Sequence, residues 1–258
     1  MQIDFGKTAS DYGRHRAGFP EQFFERIFRM GLVSPRDRVL DLGTGTGTVA
    51  RGLALRGCAV TGLDPSESMI GQAQSLDREA DIDIRYVNAK AEETELPDRS
   101  FDVVTAGQCW HWFDRPRAAA EVQRLLTPGG LLMIAHFDWL PLKGSTVAAT
   151  ESLILEHNPK WAPMAGGSGL HPRWFADLEQ AGFQDIESFT FDLAVPYTHE
   201  AWIGRIRASA GVGASLPPDA VARFDADHKA LLERDFPEEV LRIPHRVFVV
   251  WARRLGQH

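Results

Sequence analysis

The sequence predicts an α/β fold, a mostly parallel, doubly wound, seven-stranded sheet with helices on both faces. Three observations support this. Short apolar segments alternate with helically periodic ones from residue 38 to residue 136. The first apolar segment ends in a glycine-rich turn that opens a helix, the junction typical of a parallel sheet that binds a ligand at its edge. The chain has 258 residues, 44% of them hydrophobic, enough to bury a sizeable core.

Along the chain, Phe19, Phe23, Phe24, Ile27 and Phe28 recur at helical spacing over residues 19–30, with Pro20 near the helix start. Residues 38–42 read as the first strand and 48–56 as its helix. Residues 59–63 are the second strand, and Asp64-Pro65-Ser66 opens a helix over 66–75. Strands follow at 84–87 and 101–106, then a helix at 115–126 closed by Thr127-Pro128-Gly129-Gly130, and a fifth strand at 131–136. Beyond 137 the rhythm changes. A helix over 172–181 ends at Gly182, and strands are expected at 189–195 and 246–251. Two long insertions interrupt this part, one after strand five (138–170) and one between strands six and seven (198–239), the latter with a helix at 218–234. Insertions of this size usually carry structure of their own or cover a site, and these are read as lid and substrate-pocket elements. The expected organisation is one domain over 1–258, with a helical N-terminal cap (1–34) and a ligand-binding core (35–137).

A net charge of -7 argues against a broad nucleic-acid footprint. Cys58 and Cys109 lie in apolar segments and fit neither a disulfide framework nor a zinc site, so no metal is expected. Nothing resembles a signal peptide or a membrane span, and a cytoplasmic protein is the expectation.

The most informative stretch is Val39-Leu40-Asp41-Leu42-Gly43-Thr44-Gly45-Thr46-Gly47. Alternate glycines after a strand let a ligand approach bare backbone at a helix N-terminus. Gly45-x-Gly47-x-x-Ala50, with Asp64 downstream, also satisfies a dinucleotide fingerprint, so an NAD-dependent oxidoreductase is one reading. The carboxylate of Asp41 at the loop's mouth suits a cationic ligand better than a pyrophosphate. S-adenosyl-L-methionine, with its ammonium and sulfonium, is such a ligand.

Further motifs follow in order: Gly62-Leu63-Asp64-Pro65-Ser66, Ala89-Lys90-Ala91-Glu92, Leu96-Pro97-Asp98-Arg99-Ser100-Phe101-Asp102-Val103-Val104 and Leu125-Leu126-Thr127-Pro128-Gly129-Gly130. Together with the glycine loop they cover roughly 35–137, and the chain resembles the class I S-adenosylmethionine-dependent methyltransferases of the type 11-like branch, a Rossmann-like fold. Gly107-Gln108-Cys109-Trp110-His111-Trp112-Phe113-Asp114 and Tyr12-Gly13-Arg14-His15-Arg16 are similar to segments of the trans-aconitate-methyltransferase-like small-molecule enzymes. Lys90 departs from the acid that many relatives carry there.

The resemblance implies S-adenosyl-L-methionine as donor, S-adenosyl-L-homocysteine as product and a small-molecule acceptor. It places Asp41 by the ammonium, Gly43, Gly45 and Gly47 under the methionine part and ribose, and Asp64 on the ribose hydroxyls. Asp64 also reads as a helix N-cap before Pro65. Met69 would pack on the adenine, with Ala91 and Glu92 nearby. Tyr12 and Arg16 would close on the donor's carboxylate, and Gly107 and Gln108 would line its methyl end.

Methyl transfer is an in-line displacement, accelerated largely by alignment in a dry cavity. A carboxylate acceptor needs no base, whereas a hydroxyl must lose a proton. His111 and His136 are the base candidates. His111 also reads, and slightly better, as a histidine wedged structurally between Trp110 and Trp112. Those two tryptophans with Trp139, Trp161, Trp202 and His171 are candidate acceptor contacts, and each tryptophan also reads as core packing. The function expected is O-methylation of a small molecule. A module that binds the donor without catalysis is the other alternative.

Overall fold

The computed structural model describes residues 18–256. Tyr12 and Arg16 lie outside the described residues. The chain divides into two compact units. The first holds Gly18–Phe137, His171–Thr190 and the chain from Val247, and the second holds Asp138–Leu170 and Phe191–Arg246.

In the first unit, helix α1 (Glu21–Arg29) buries Phe23, Phe24 and Ile27 on one face, with Glu21 in its first turn and Arg26 and Arg29 in its last, the charge order that the helix dipole favours. Strand β1 (Arg38–Leu42) leads through the glycine loop into α2 (Thr48–Ala54), and β2 (Ala59–Asp64) into α3 (Glu67–Glu79). Then come β3 (Arg85–Asn88), β4 (Phe101–Gly107), a 3-10 turn at Trp110–Trp112, and α4 (Arg115–Leu125) with Pro116 in its first turn. Strand β5 (Leu126–Trp139) starts directly at the end of α4. Residues 127–130 therefore belong to the strand's irregular start rather than to a helix stop, and the β4–β5 register shifts between Phe101 and Val103. Helix α6 (Arg173–Gln180) also packs in this unit, through Trp174 and Leu178.

The second unit carries α5 (Thr146–His157), a 3-10 segment at Pro159–Met164, α7 (His199–Arg207) and α8 (Pro218–Asp235). Its core joins Val147, Ile154, Trp161, Tyr197, Trp202, Phe224 and Ile243. Gly211 lets the chain pass close to Trp161, because a Cβ there would lie 2.8 Å from Ile154 and 3.2 Å from the indole.

Strands β6 (Gln184–Thr198) and β7 (Val240–Arg253) are about twice as long as the sequence pattern indicates. The sheet has seven strands in the order β3-β2-β1-β4-β5-β7-β6. The five from β3 to β5 are parallel, with Leu42 beside Leu63 and Ala106, and Ala106 beside Ile134. Backbone bonds from Arg254 to Gly130 and from Leu140 to Pro244 give β7 the opposite direction to β5. The winding reverses between β1 and β4, and the segments that leave the carboxyl ends of those two strands frame the place where such sheets bind ligands.

Candidate active site

The glycine loop is built by backbone geometry. Gly43, Gly45 and Gly47 have φ of 57°, 56° and 78°, left-handed values that other residues adopt only at a cost. They differ in surroundings. A Cβ on Gly43 would sit 2.8 Å from the Cβ of Cys109, so the loop is pressed against the segment after β4, where the Cys109 thiol donates to the Leu42 carbonyl at 3.1 Å. A Cβ on Gly47 would sit 2.7 Å from the Tyr86 hydroxyl. A Cβ on Gly45 would meet nothing within 4 Å, so the space above the loop is open at that residue.

Asp64 fixes the loop's position. One carboxylate oxygen accepts from the Gly45 N–H at 2.9 Å and the other from the Ser66 N–H at 2.9 Å. A carboxylate offers about four acceptor positions, so each oxygen retains capacity for a hydroxyl donor. Burial raises its pKa against these two bonds. The helix cap is Ser66, whose Oγ accepts from the Met69 N–H, which corrects the reading of Asp64 as the N-cap. Pro65 is exposed and Met69 is buried.

Asp41 is buried, and both its oxygens accept hydroxyl donors, from Thr44 and Thr105, each at 2.7 Å. Thr105 is also its register neighbour on β4. Burial pushes the Asp41 pKa up to about 6, partly offset by the two threonines. A second brace was not apparent in the sequence. Arg51 on α2 pairs with buried Asp77 at 2.8 Å and donates to the Thr46 carbonyl at 2.9 Å, while the Tyr86 hydroxyl donates to Asp77 at 2.7 Å. These residues are 26 and 9 positions apart from Asp77 along the chain and carry no motif.

On the neighbouring strand ends, Gly107 is pressed against Val49, where a Cβ would sit 2.7 Å from a methyl. Gln108 has φ 62°, donates its backbone N–H to Ala135 at 2.8 Å and its side-chain amide to the Phe137 carbonyl. Strain of this kind in a non-glycine residue persists only where its surroundings hold it. Ala91 is buried, and Glu92 accepts from the Asp114 N–H at 2.7 Å, which ties its loop to the start of α4.

Three imidazoles lie in a row beyond these ends. His111 is exposed, with its ring 4.5 Å from Trp112 and 5.6 Å from His136. His136 is buried and stacks on His171 at 3.8 Å, and His171 lies parallel to Trp174 at 5.4 Å. Trp112 is 45% exposed, whereas Trp110 is fully buried and its indole donates to Asp177 at 3.0 Å. His111 thus packs against Trp112, while Trp110 turns to Asp177. Trp161 and Trp202 are core residues of the second unit, and Trp202 donates to Thr150 at 3.1 Å. Trp139 is half-buried, with its indole N–H on Glu151 at 2.7 Å.

A glycine loop with open space at Gly45 and two buried carboxylates, Asp41 and Asp64, make up the candidate ligand site of an α/β fold. The residues present fit S-adenosylmethionine, because space is open above Gly45 and Asp64, bonded to the Gly45 N–H, keeps acceptor capacity for hydroxyl donors. The methyltransferase domain family of type 11 matches residues 40–134. A malonyl-[acyl-carrier protein] O-methyltransferase of Geobacter sulfurreducens is 33% identical over 204 residues, 73% of this chain and 71% of that one. An uncharacterized methyltransferase of Mycobacterium tuberculosis is 37% identical over 132 residues, 51% of each chain, so the chain spans about half the length of that relative. A solved structure from Anaeromyxobacter dehalogenans, described as a type II methyltransferase, matches with a TM-score of 0.65 at 26% identity, covering 94% of this chain and 99% of that one. The chain belongs to the class I S-adenosylmethionine-dependent methyltransferases, in the type 11 family. The dinucleotide spacing at Gly45 and Gly47 is thus a coincidence, and the oxidoreductase reading is withdrawn.

Proposed function

We propose that this chain transfers the donor's methyl group to an oxygen, hydroxyl or carboxylate, of a small molecule. The observation that carries this reading is the row His111, His136 and His171 at the carboxyl ends of β4 and β5 and the start of α6, in the same unit as the glycine loop. When bound, the donor supplies a methyl on a sulfonium, which needs no further activation. The protein's work is to hold and align. Gly43, Gly45 and Gly47 give backbone access, Asp41 balances the ammonium, Asp64 receives the ribose hydroxyls, and Met69, Ala91 and Glu92 border the adenine. Gly107 and Gln108 line the methyl end. In this reading His111 takes the proton from a hydroxyl as the new C–O bond forms and the sulfonium leaves as a thioether, with His136 behind it. The O-methyltransferase relative from Geobacter supports oxygen as the acceptor atom. The reading includes no nucleic-acid partner, in keeping with the charge of -7, and a cytoplasmic setting, in keeping with two buried free cysteines.

Turnover of methyl-labelled donor with a panel of hydroxy and carboxy compounds tests it. Label released as methanol by mild base marks a methyl ester, and base-stable label on a phenol or alcohol marks an ether. Transfer to nitrogen or carbon overturns the oxygen assignment, and donor binding with no turnover across the panel favours a non-catalytic module. With a hydroxyl acceptor, His111→Ala should lower kcat about 100-fold or more while donor affinity changes little. A carboxylate acceptor should leave the variant near wild-type rates.

A further inference from the structure

We infer that Arg205 in the second unit, set against the Trp139 ring and beside the Tyr197 hydroxyl, is a binding site for a small carboxylate. The guanidinium carbon lies 4.7 Å from the Trp139 ring centroid. That ring is held in place, because its indole N–H bonds Glu151 at 2.7 Å and the other Glu151 oxygen accepts from the Gly166 N–H at 2.8 Å. Trp202 meets Trp139 edge-on at 5.7 Å and Tyr197 at 5.3 Å, so three aromatic side chains surround the arginine's neighbourhood. All these residues belong to one unit.

The other partly buried arginines of this unit are each ion-paired, Arg207 with Asp225 at 3.4 Å and Arg246 with Asp192 at 2.6 Å. Arg205 has no ion pair with any described residue. Asp138 acts on it through its field only, and the Tyr197 hydroxyl is its polar neighbour. A guanidinium stays charged and presents five donors in a planar fork. Taking it out of water without a directly paired anion is costly, and the field of Asp138 and a cation–π contact offset only part of that cost. Burial accordingly pulls the Arg205 pKa below its ordinary value. An aromatic box with an empty centre would suit an ammonium ligand. Here the cation is already built in, so the missing partner is an anion, and a carboxylate matches the fork with two parallel hydrogen bonds. Arg205 and Trp139 are each half-buried as whole residues, with the guanidinium on the buried side.

The site does not depend on the donor reading, and the test keeps the two apart. Calorimetry with sodium malonate, its neutral diamide and inorganic phosphate should show malonate binding to the wild type and none by the diamide. Arg205→Met should weaken malonate at least tenfold, roughly the loss of one charge-assisted hydrogen bond, while S-adenosylhomocysteine binds as before. Should that variant fail to fold, Arg205→Lys serves. It keeps the charge and loses the fork, so malonate should weaken about threefold or more. Absent malonate binding, unchanged affinity in the variant that folds, binding of the diamide, or phosphate bound more tightly than malonate would each overturn the proposal. Failure of the wild type to bind S-adenosylhomocysteine would bear on the donor site alone.

Discussion

At the residue scale, Asp41 and Gly45 divide the labour of the loop. Asp41 holds its proton more tightly in the folded chain than in the unfolded one, with a pKa raised to about 6 by burial. Its contribution to stability is therefore present at low pH and is lost as pH rises from about 4 to about 6. Replacing Asp41 with Asn removes that loss. Relative to wild type, the variant should gain on the order of 3 kcal/mol between pH 4 and pH 7, read by urea unfolding at both values. Gly45 behaves differently, since its missing side chain faces space rather than protein. Gly45→Val should abolish S-adenosylhomocysteine binding in calorimetry and cost only about 1–2 kcal/mol of stability, from the left-handed backbone. Wild-type affinity would refute the loop assignment. Both residues were legible in the sequence because they sit in one short motif. Thr105, Arg51 and Asp77 were not, because what they do depends on register and on contacts across strands and helices.

At the element scale, helices and strands were readable where one local pattern dominated. Strands β1, β2 and β4 match the sequence pattern to within a residue because each is a compact apolar run. Helices α5 and α7 were missed. Helix α5 buries Thr146, Thr150 and Glu151 along with its aliphatic residues, so it shows no clean polar face, and α7 contains Gly204, itself buried. Trp110 reads as a pocket residue until Asp177, 67 positions later, is seen to accept a hydrogen bond from its indole N–H. One tight junction invites a test. A Cβ on Gly52 of α2 would lie 2.1 Å from the Phe24 ring of α1. Gly52→Ala should destabilise the protein by about 1–3 kcal/mol in chemical denaturation. Adding Phe24→Leu should recover part of that loss, which a double-mutant cycle would measure.

At the scale of the whole molecule, every described residue assigned to the donor belongs to one compact unit, while Trp139, Trp161 and Trp202 belong to the other. The five donor motifs were legible because they lie in order along the parallel half of the sheet. The acceptor was not, because no motif marks the insertions. The division predicts where binding is felt. S-adenosylhomocysteine should slow amide exchange in residues 41–47, 62–70 and 107–113 and leave 146–157 and 218–235 unchanged, as hydrogen-exchange mass spectrometry can show. Slowing spread evenly over both sets would contradict this assignment of the described donor residues.

The bond from the Gly45 amide to Asp64 has a kinetic meaning as well. A loop tied at its centre, and braced at Thr46 by Arg51, is held in shape by bonds within the protein itself. Little conformational freedom is left for binding to remove. The donor should thus dock in a single step whose rate rises linearly with its concentration, with no slow isomerisation in stopped-flow traces. Discrimination between donor and spent product would then rest on how fast each leaves.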